Sequence, residues 1–479
     1  MRNPLPRRLL PALAAPFLPV QAEGQPAPPL TPSLVTPRER ALHRRAVEAV
    51  IWGMPAVNFE LMAQAMRGAG AAFNQVVYWS RPLSWKNQTL TPNPDTIYLM
   101  PFYDTKDAGP VVLEIPPAEE GSSITGSIDD GWQTALEDVG PAGADKGAGG
   151  KYLILPPDHQ GATPEGMIAL PSGTHAGFAL LRSNLRGHSD ADLGRAVAYG
   201  QRVRVYPVAQ AASPPPTRFV DAAEVLFDST IPYDARFFRA LDRFVQREPW
   251  IERDRAMVDP LRSLGIEKGR AFNPDARTEE ILATGAREAH AFLDAGYEAL
   301  FSPPYFEGTQ WALPVRPNLL RGLQSNFADR NSYPADERGI LYAMGYFSAK
   351  RLGEGQFYLV ALRDKAGQPL DGGGIYRLTV PARAPVRLYW SVTAYDRATH
   401  ALIRGLDWSS RASNTPALRA NADGSTDIFF GPTAPEGWRD NWVPTRTGSG
   451  FELMFRFYGP ERPLFDKTWR LPDIERMGL

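Results

Sequence analysis

The chain has no cysteine and only six histidines among its 479 residues. The missing cysteines exclude disulfide bonds, a lipoprotein anchor, thiol nucleophiles and cysteine-ligated metal sites. The histidines are scattered, and no two have the spacing of metal ligands. We therefore predict neither a bound metal nor a cofactor. The histidines are His43, His159, His175, His188, His290 and His400.

An excess of charge of either sign is also missing, since the formal net charge is −1. Nucleic-acid binding needs a basic footprint, so we predict no nucleic-acid partner. Beyond the N-terminus no apolar run is long enough to span a bilayer, so we predict no stable membrane insertion. Asp129, Asp130 and Asp371 could supply oxygen ligands for calcium, but solvated turns explain these residues better.

Motifs of the common enzyme classes are absent as well. The sequence has no G-x-S-x-G, S-x-x-K or H-E-x-x-H motif, no dinucleotide fingerprint and no EF-hand loop. The glycine-rich segment 140–150 lacks the residue order of a phosphate-binding loop. Function must therefore be argued from polar loops and their surroundings.

The first 22 residues have the pattern of a signal peptide. Arg2, Arg7 and Arg8 form a basic start, residues 9–20 are apolar, and Ala22 closes a small-residue cleavage pattern. This pattern predicts a periplasmic or secreted protein. Without disulfides, such a protein depends on its hydrophobic core, and the chain is long enough for about two or three domains.

Helical and strand patterns follow each other in blocks, which predict a mainly β protein with additional α-helices. A capping box at 36–39 begins a helix that we expect to stop before Pro55. Short apolar runs closed by proline indicate strands from about 97 to 208, typical of a sandwich or jelly roll. The predicted units are an N-terminal helix plus β domain at 36–210, a helical connector at 211–350 and a C-terminal β domain at 351–478.

The segment 85–98 differs from every other part of the chain. Pro92 and Pro94 bracket Asn93 and exclude a helix there. Asn, Asp and Thr side chains can fix such a turn through their own backbone, and rigid polar loops often carry function. A purely structural turn explains the segment equally well. Because apolar residues flank it, we expect it to be partly buried against the helical connector.

Asp95 is the candidate catalytic acid, base or ligand group in this segment. Lys86, the second candidate catalytic residue, would keep Asp95 ionised and lower its pKa if the two side chains were close. Tryptophan and tyrosine beside polar groups suit a sugar-like or amphipathic ligand, and they suit a packed domain interface equally well. The candidate binding residues are Asn93, Thr96, Tyr98, Trp132, Trp390, Tyr395, Asn441 and Trp442.

Several motifs give the chain a family resemblance over about residues 40–478. The C-terminal part resembles the DUF1214 family, and the N-terminal half resembles its usual partner, DUF1254. The C-terminal motifs are LDGG at 370–373, YRL at 376–378, WSVTAYD at 390–396, NADGSTDIFFGP at 421–432, NW at 441–442, FYGP at 457–460 and FDKTW at 465–469. The N-terminal motifs are PNPDTIY at 92–98, GPVVL at 109–113, GGKYLILPP at 149–157 and YP at 206–207. GIEKG at 265–269 matches the helical region between the two parts.

The resemblance implies a fold and an exported protein more than it implies an activity. The resemblance implies a protein with two jelly-roll-like β-sandwich domains joined by a helical connector. The family has no agreed reaction. No catalytic residue can therefore be carried over. Two functions stay open: an enzyme acting on a small or amphipathic molecule in a cleft near 86–98, and a non-catalytic binding or assembly protein of the cell envelope, which could form a homo-oligomer.

Overall fold

A computed structural model describes residues 34–345, 349–351 and 355–478 of the chain. The predicted signal peptide at 1–22 lies outside the described residues. The fold mixes helices and sheets, with 27% of the chain helical and 26% in strands, which is consistent with a β protein that carries additional helices. Within the described residues, no helix combines the length and apolar character needed to cross a membrane.

The long helices surround the first one. The α-helices are α1 (Pro37–Gly68), α2 (Asp190–Gly200), α3 (Ala235–Arg247), α4 (Val258–Ser263), α5 (Ala276–Ala299), α6 (Pro317–Gln324), α7 (Ala335–Met344) and α8 (Arg462–Phe465). Helix α1 packs against α3, α5 and α7 and supplies much of the largest hydrophobic cluster.

Helix α1 begins as predicted but does not stop before Pro55. Thr36 and Glu39 form the expected capping box, and the helix then continues through Pro55 to Gly68. Pro55 has no N–H for the carbonyl of Ile51, so one helical hydrogen bond is lost there. The surrounding helices together with Trp132 and Phe178 of the N-terminal β domain bury this stretch of α1, and that packing outweighs the local penalty.

The strands form separate sheets in the two halves of the chain. They are β1 (Gln75–Tyr78), β2 (Asn87–Gln88), β3 (Ile97–Asp104), β4 (Val111–Ile115), β5 (Ile124–Asp130), β6 (Ala135–Val139), β7 (Gly150–Leu155), β8 (Met167–Pro171), β9 (Ala176–Ser183), β10 (Arg204–Pro207), β11 (Phe219–Asp221), β12 (Phe227–Asp228), β13 (Gln356–Ala361), β14 (Tyr376–Val380), β15 (Val386–Asp396), β16 (Ser410–Ala412), β17 (Thr426–Gly431), β18 (Trp442–Pro444), β19 (Phe451–Pro460) and β20 (Glu475–Arg476).

In the N-terminal half, a six-stranded sheet has the order β11-β1-β3-β9-β5-β6, and a four-stranded sheet has the order β10-β4-β7-β8. Apolar side chains from both sheets meet in one buried cluster. The short pair β12-β2 forms a separate parallel sheet at the start of the 86–98 segment. Helix α2, which the sequence patterns do not predict, packs against β3 and β9.

In the C-terminal half, two four-stranded sheets have the orders β13-β19-β15-β16 and β18-β17-β14-β20. They share an aromatic-rich cluster, in which Trp390 stacks on Phe455 with ring centroids 5.5 Å apart. The apolar periodicity of residues 335–351 predicts a single helix, but α7 ends earlier, at Met344. Residues 346–348 of that prediction lie outside the described residues.

The second face of β19 and the C-terminal part of the second face of β15 are buried too, although their alternating polar residues suggest a solvated face. Strand β19 is buried from Phe451 to Gly459. Glu452 accepts hydrogen bonds from His400 and from Tyr297 of α5. Arg456 lies further along the same face, and the 86–98 segment covers it. This face therefore forms an interface with the N-terminal half and the connector.

Candidate functional site

The turn at 92–95 is fixed by its own residues, as its composition predicts. The Asn93 side-chain oxygen accepts the backbone N–H of Asp95 at 3.0 Å, which forms an Asx turn. The backbone N–H of Asn93 donates to the Tyr98 hydroxyl at 3.1 Å, and its side-chain amide donates to the Tyr458 hydroxyl. Asn93 is buried, so the turn is a rigid internal feature of the molecule.

The C-terminal sheet holds this segment through its backbone. The Tyr395 hydroxyl donates to the carbonyl of Pro92 at 2.6 Å, and Arg456 donates to the carbonyl of Thr91 at 2.9 Å. The N–H of Thr91 donates to the carbonyl of His400 at 2.6 Å. The segment is thus buried, as predicted. Its main packing partner is the C-terminal sheet and not the helical connector that we expected.

Asp95 is buried between the two halves of the chain. One carboxylate oxygen accepts the Ser410 hydroxyl at 2.7 Å, and the other, Oδ2, has no hydrogen-bond partner among the described residues. Burial raises the pKa of Asp95, and this effect outweighs the lowering by Ser410, His188 and Arg456. Asp95 lines neither the cleft between the sheets nor the small cavities near Tyr98.

Lys86 is paired with another carboxylate, so the condition under which it would lower the pKa of Asp95 is not met. The Lys86 ammonium lies 2.5 Å from a carboxylate oxygen of Glu224, which also pairs with Arg81 at 2.8 Å. Lys86 precedes β2, whose pairing with β12 brings it beside the 221–227 turn. The pKa of Asp95 is accordingly raised by burial rather than lowered by Lys86.

A cleft with a volume of about 820 Å³ lies between the N-terminal sheet and the C-terminal sheet. Strands β5, β6 and β9 line one wall, and β13, β15 and β19 line the other. The walls are apolar at Val139, Phe178 and Leu388, and Leu388 is 71% exposed to solvent. Drug-sized ligands occupy clefts of this size with mixed apolar and polar walls.

Polar side chains meet where the cleft approaches the 86–98 segment. Arg182 and Tyr358 line both the cleft and a smaller cavity of about 30 Å³, which Thr91 and Arg456 also line. Arg182 and Thr91 also line a second cavity of about 30 Å³, and Tyr98 lines both small cavities. Each small cavity has room for about one water molecule. Arg182 therefore lies between the cleft and the two small cavities and lines all three.

Family comparison gives a result for each half of the chain. The profile described as "Protein of unknown function (DUF1254)" matches residues 73–207, and that described as "Protein of unknown function (DUF1214)" matches residues 355–462. The chain belongs to this two-domain family of unknown function. No curated protein matches it.

Two solved structures are similar to this chain. The VPA0106 protein from Vibrio parahaemolyticus is 18% identical with a TM-score of 0.56, and the alignment covers 91% of this chain and 100% of that one. An uncharacterised protein from Burkholderia cenocepacia is 11% identical with a TM-score of 0.43, over 92% of this chain and 95% of that one. The first likeness shows a shared fold and nothing about activity.

Four of the predicted site residues come together around the turn: Asn93, Asp95, Tyr98 and Tyr395. Thr96 lies at the edge of this group, where its hydroxyl donates to the carbonyl of Ser183 at 3.3 Å. Tyr98 also accepts a hydrogen bond from Arg182. The group therefore extends to the inner end of the cleft, which is the end where Arg182 and Tyr358 line both the cleft and a small cavity.

The other predicted binding residues lie in packed regions. Trp132 packs against Trp52 with ring centroids 4.8 Å apart, and Trp390 lies in the C-terminal aromatic cluster. Asn441 is buried and bonds the backbone of two neighbouring segments. The Trp442 indole donates to the carbonyl of Gly431 at 2.9 Å. For these four side chains the geometry favours a structural role.

Sequence reasoning missed Arg182 and Arg456 as candidates. Each interrupts an otherwise apolar stretch of strand: Arg182 follows Leu180 and Leu181 in β9, and Arg456 lies between Phe455 and Phe457 in β19. A charged residue within such a run indicates a buried polar site or an interface, because a lone buried charge is costly. That signal is present in the sequence.

Proposed function

We propose that the protein binds a small amphipathic molecule in the cleft between its two β domains. The observation that carries this proposal is the cleft of about 820 Å³, whose walls combine apolar and polar side chains and which has Arg182 and Tyr358 at the end next to the small cavity that both residues also line. An amphipathic ligand would place its apolar body along Val139, Phe178 and Leu388 and its polar end at the inner side.

The proposal includes the arrangement of the whole chain. The domains would be the predicted units at 36–210 and 351–478, folded as jelly-roll-like sandwiches and joined by the connector at 211–350. The site would work in the periplasm or outside the cell, because the basic and apolar start of the chain is that of an exported protein.

A second candidate function is catalysis on the bound molecule, with Asp95 as acid or base. The raised pKa of Asp95 and its unbonded Oδ2 favour it. Against it, Asp95 connects to the cleft only indirectly: its N–H donates to Asn93, and Asn93 donates to Tyr458 on the cleft wall. The same contacts suit a turn that docks one domain on the other, so binding is the better-supported proposal.

The binding proposal is tested with the uncharged fluorescent probe N-phenyl-1-naphthylamine. Leu388→Asp puts a charge on the cleft wall and should weaken probe binding about fivefold or more, the effect of losing about 1 kcal/mol of apolar contact. Leu226→Asp is the matched control, because Leu226 is 49% exposed and does not line the cleft. Fluorescence titration measures both.

A wild-type protein that binds no probe would contradict the proposal. An equal loss of affinity in Leu226→Asp and Leu388→Asp would contradict it too, because the probe would then bind elsewhere. Thermal unfolding of each variant shows whether it is folded before the titration.

A further inference from the structure

We propose that Arg182 binds the anionic end of the ligand, so that the amphipathic molecule carries a carboxylate or another oxyanion group. This inference rests on the proposed function of the cleft and specifies its substrate class. It is carried by the position of Arg182, by the hydrogen-bond donors that Arg182 leaves unused, and by the second arginine beside it.

The Arg182 guanidinium is held in one orientation by Tyr98. Its Nε donates to the Tyr98 hydroxyl at 3.2 Å, and its central carbon lies 5.2 Å from the centre of the Tyr98 ring. Tyr98 is in turn fixed by the N–H of Asn93. The rigid turn at 92–95 therefore positions Arg182 for a ligand before any ligand arrives.

The two terminal nitrogens of Arg182 make no hydrogen bond with any described residue. No carboxylate of the described chain pairs with Arg182 either. Guanidinium carries five N–H donors in a planar fork that fits a carboxylate, and a partly desolvated cation without a counter-ion favours binding an anion. The unused donors belong to a side chain that lines the cleft and both small cavities.

Arg456 adds a second positive charge to the small cavity that Arg182 also lines. It is 3% exposed, and its terminal nitrogens donate to Thr393, to Tyr395 and to the carbonyl of Thr91. These partners are neutral, so they orient the charge of Arg456 without cancelling it. Arg456 thus raises the positive potential at Arg182, while Arg182 has the free donors.

Tyr98 supplies a further donor at the same place. Its hydroxyl oxygen accepts two hydrogen bonds, from Asn93 and from Arg182. A phenol that accepts two bonds still has its own proton to donate. Among the other cleft arginines, Arg351 already pairs with Glu137 at 3.1 Å, and Arg387 is an exposed side chain. Arg182 is therefore the cation best placed for an anionic group at the inner end.

The test compares two probes that share their ring system. 1-Anilinonaphthalene-8-sulfonate carries a sulfonate, and N-phenyl-1-naphthylamine does not. In the full chain, Arg182→Gln should weaken binding of the sulfonate probe about tenfold or more, the usual scale of a lost charged hydrogen bond. It should leave the uncharged probe within about twofold of wild type. Arg330→Gln, at an exposed arginine away from the cleft, is the matched control and should change neither.

Competition against the uncharged probe identifies the anionic group. Decanoate and decyl sulfate should displace it from wild type at lower concentration than decanol, and this preference should disappear in Arg182→Gln. A stronger effect of decanoate than of decyl sulfate would assign a carboxylate, and the reverse order would assign a sulfate-like group.

Wild-type affinity of Arg182→Gln for the sulfonate probe would overturn the inference, as would an equal loss for both probes, which indicates a structural role. If Arg182→Gln does not fold, Arg182→Lys decides, because lysine lacks the planar fork of donors. A loss of affinity confined to the sulfonate probe supports the inference, whereas an equal loss for both probes, or no loss for either, overturns it. Failure of the uncharged probe to bind wild type would instead overturn the proposed function, so the two failures are distinguishable.

Discussion

At the scale of single residues, the interface between the two halves is built from buried polar groups that are satisfied unequally. Glu452 is 1% exposed and has two partners, His400 and Tyr297. Asp95 has a hydrogen bond from Ser410 on one oxygen and none on the other. A buried carboxylate with an unmet oxygen is destabilising when it is ionised, so its protonation should affect stability.

Asp95→Asn should make the protein less sensitive to pH. Burial raises the folded-state pKa of Asp95 above its unfolded value. The stability that the folded protein gains from a protonated, neutral Asp95 is therefore fully present below the unfolded-state pKa, about 4. It is lost as the pH rises through the folded-state pKa. The melting temperature of Asp95→Asn minus that of wild type should increase from pH 4 to pH 8, as measured by thermal unfolding.

The exposed Asp407→Asn is the control for a simple change of net charge. A difference between Asp95→Asn and wild type that does not vary with pH would contradict this account of Asp95. Loss of turnover on an identified substrate, with unchanged melting, would favour the catalytic alternative instead.

At the scale of elements, helix α1 depends on close helix–helix contact to pass through Pro55. Gly339 of α7 lies over the Ile51 carbonyl that Pro55 leaves without a helical partner, and a Cβ on Gly339 would come within 2.7 Å of that oxygen. Gly285 of α5 approaches Ala46 of α1 in the same way. Glycine inside α5 and α7 is thus explained by packing that sequence patterns do not reveal.

Gly339→Ala should destabilise the protein by about 1–3 kcal/mol, the usual cost of an added methyl group in a tight contact. Gly194→Ala in helix α2 is the matched control, because no atom lies within 4 Å of its added Cβ. Alanine favours a helix over glycine, so the control should be stabilising by about 0.5–1 kcal/mol. Denaturant unfolding measures both, and an unchanged stability of Gly339→Ala would contradict this packing.

At the scale of the whole molecule, the sequence predicts local structure better than long-range contacts. The capping box of α1, the helix at 276–299 and the strands that contain Val111 and Trp390 follow from local patterns. The buried second face of β19 does not, because the segment covering it lies some 360 residues earlier in the chain. The alternation of β19 only shows that its two faces differ.

The candidate site shows the same contrast between local structure, which the sequence predicts, and long-range contacts, which it does not. Composition and proline spacing predict the rigid turn at Asn93, and the apolar residues that flank the segment predict its burial. They leave open the partner of Lys86 and the role of Arg182, because both depend on contacts between distant segments. Trp390 and Trp442 are predicted binding residues because tryptophan beside polar groups suits an amphipathic ligand, whereas a tryptophan on a strand packs into a core just as readily.

The most direct test of the cleft as a ligand site is a crystal structure of the protein with 10-bromodecanoate, located by the anomalous signal of bromine. We predict a bromine peak in the cleft near Val139 and Leu388, with the carboxylate at the terminal nitrogens of Arg182. Bromine peaks only at other surfaces of the molecule, with the cleft free of the probe, would contradict the account.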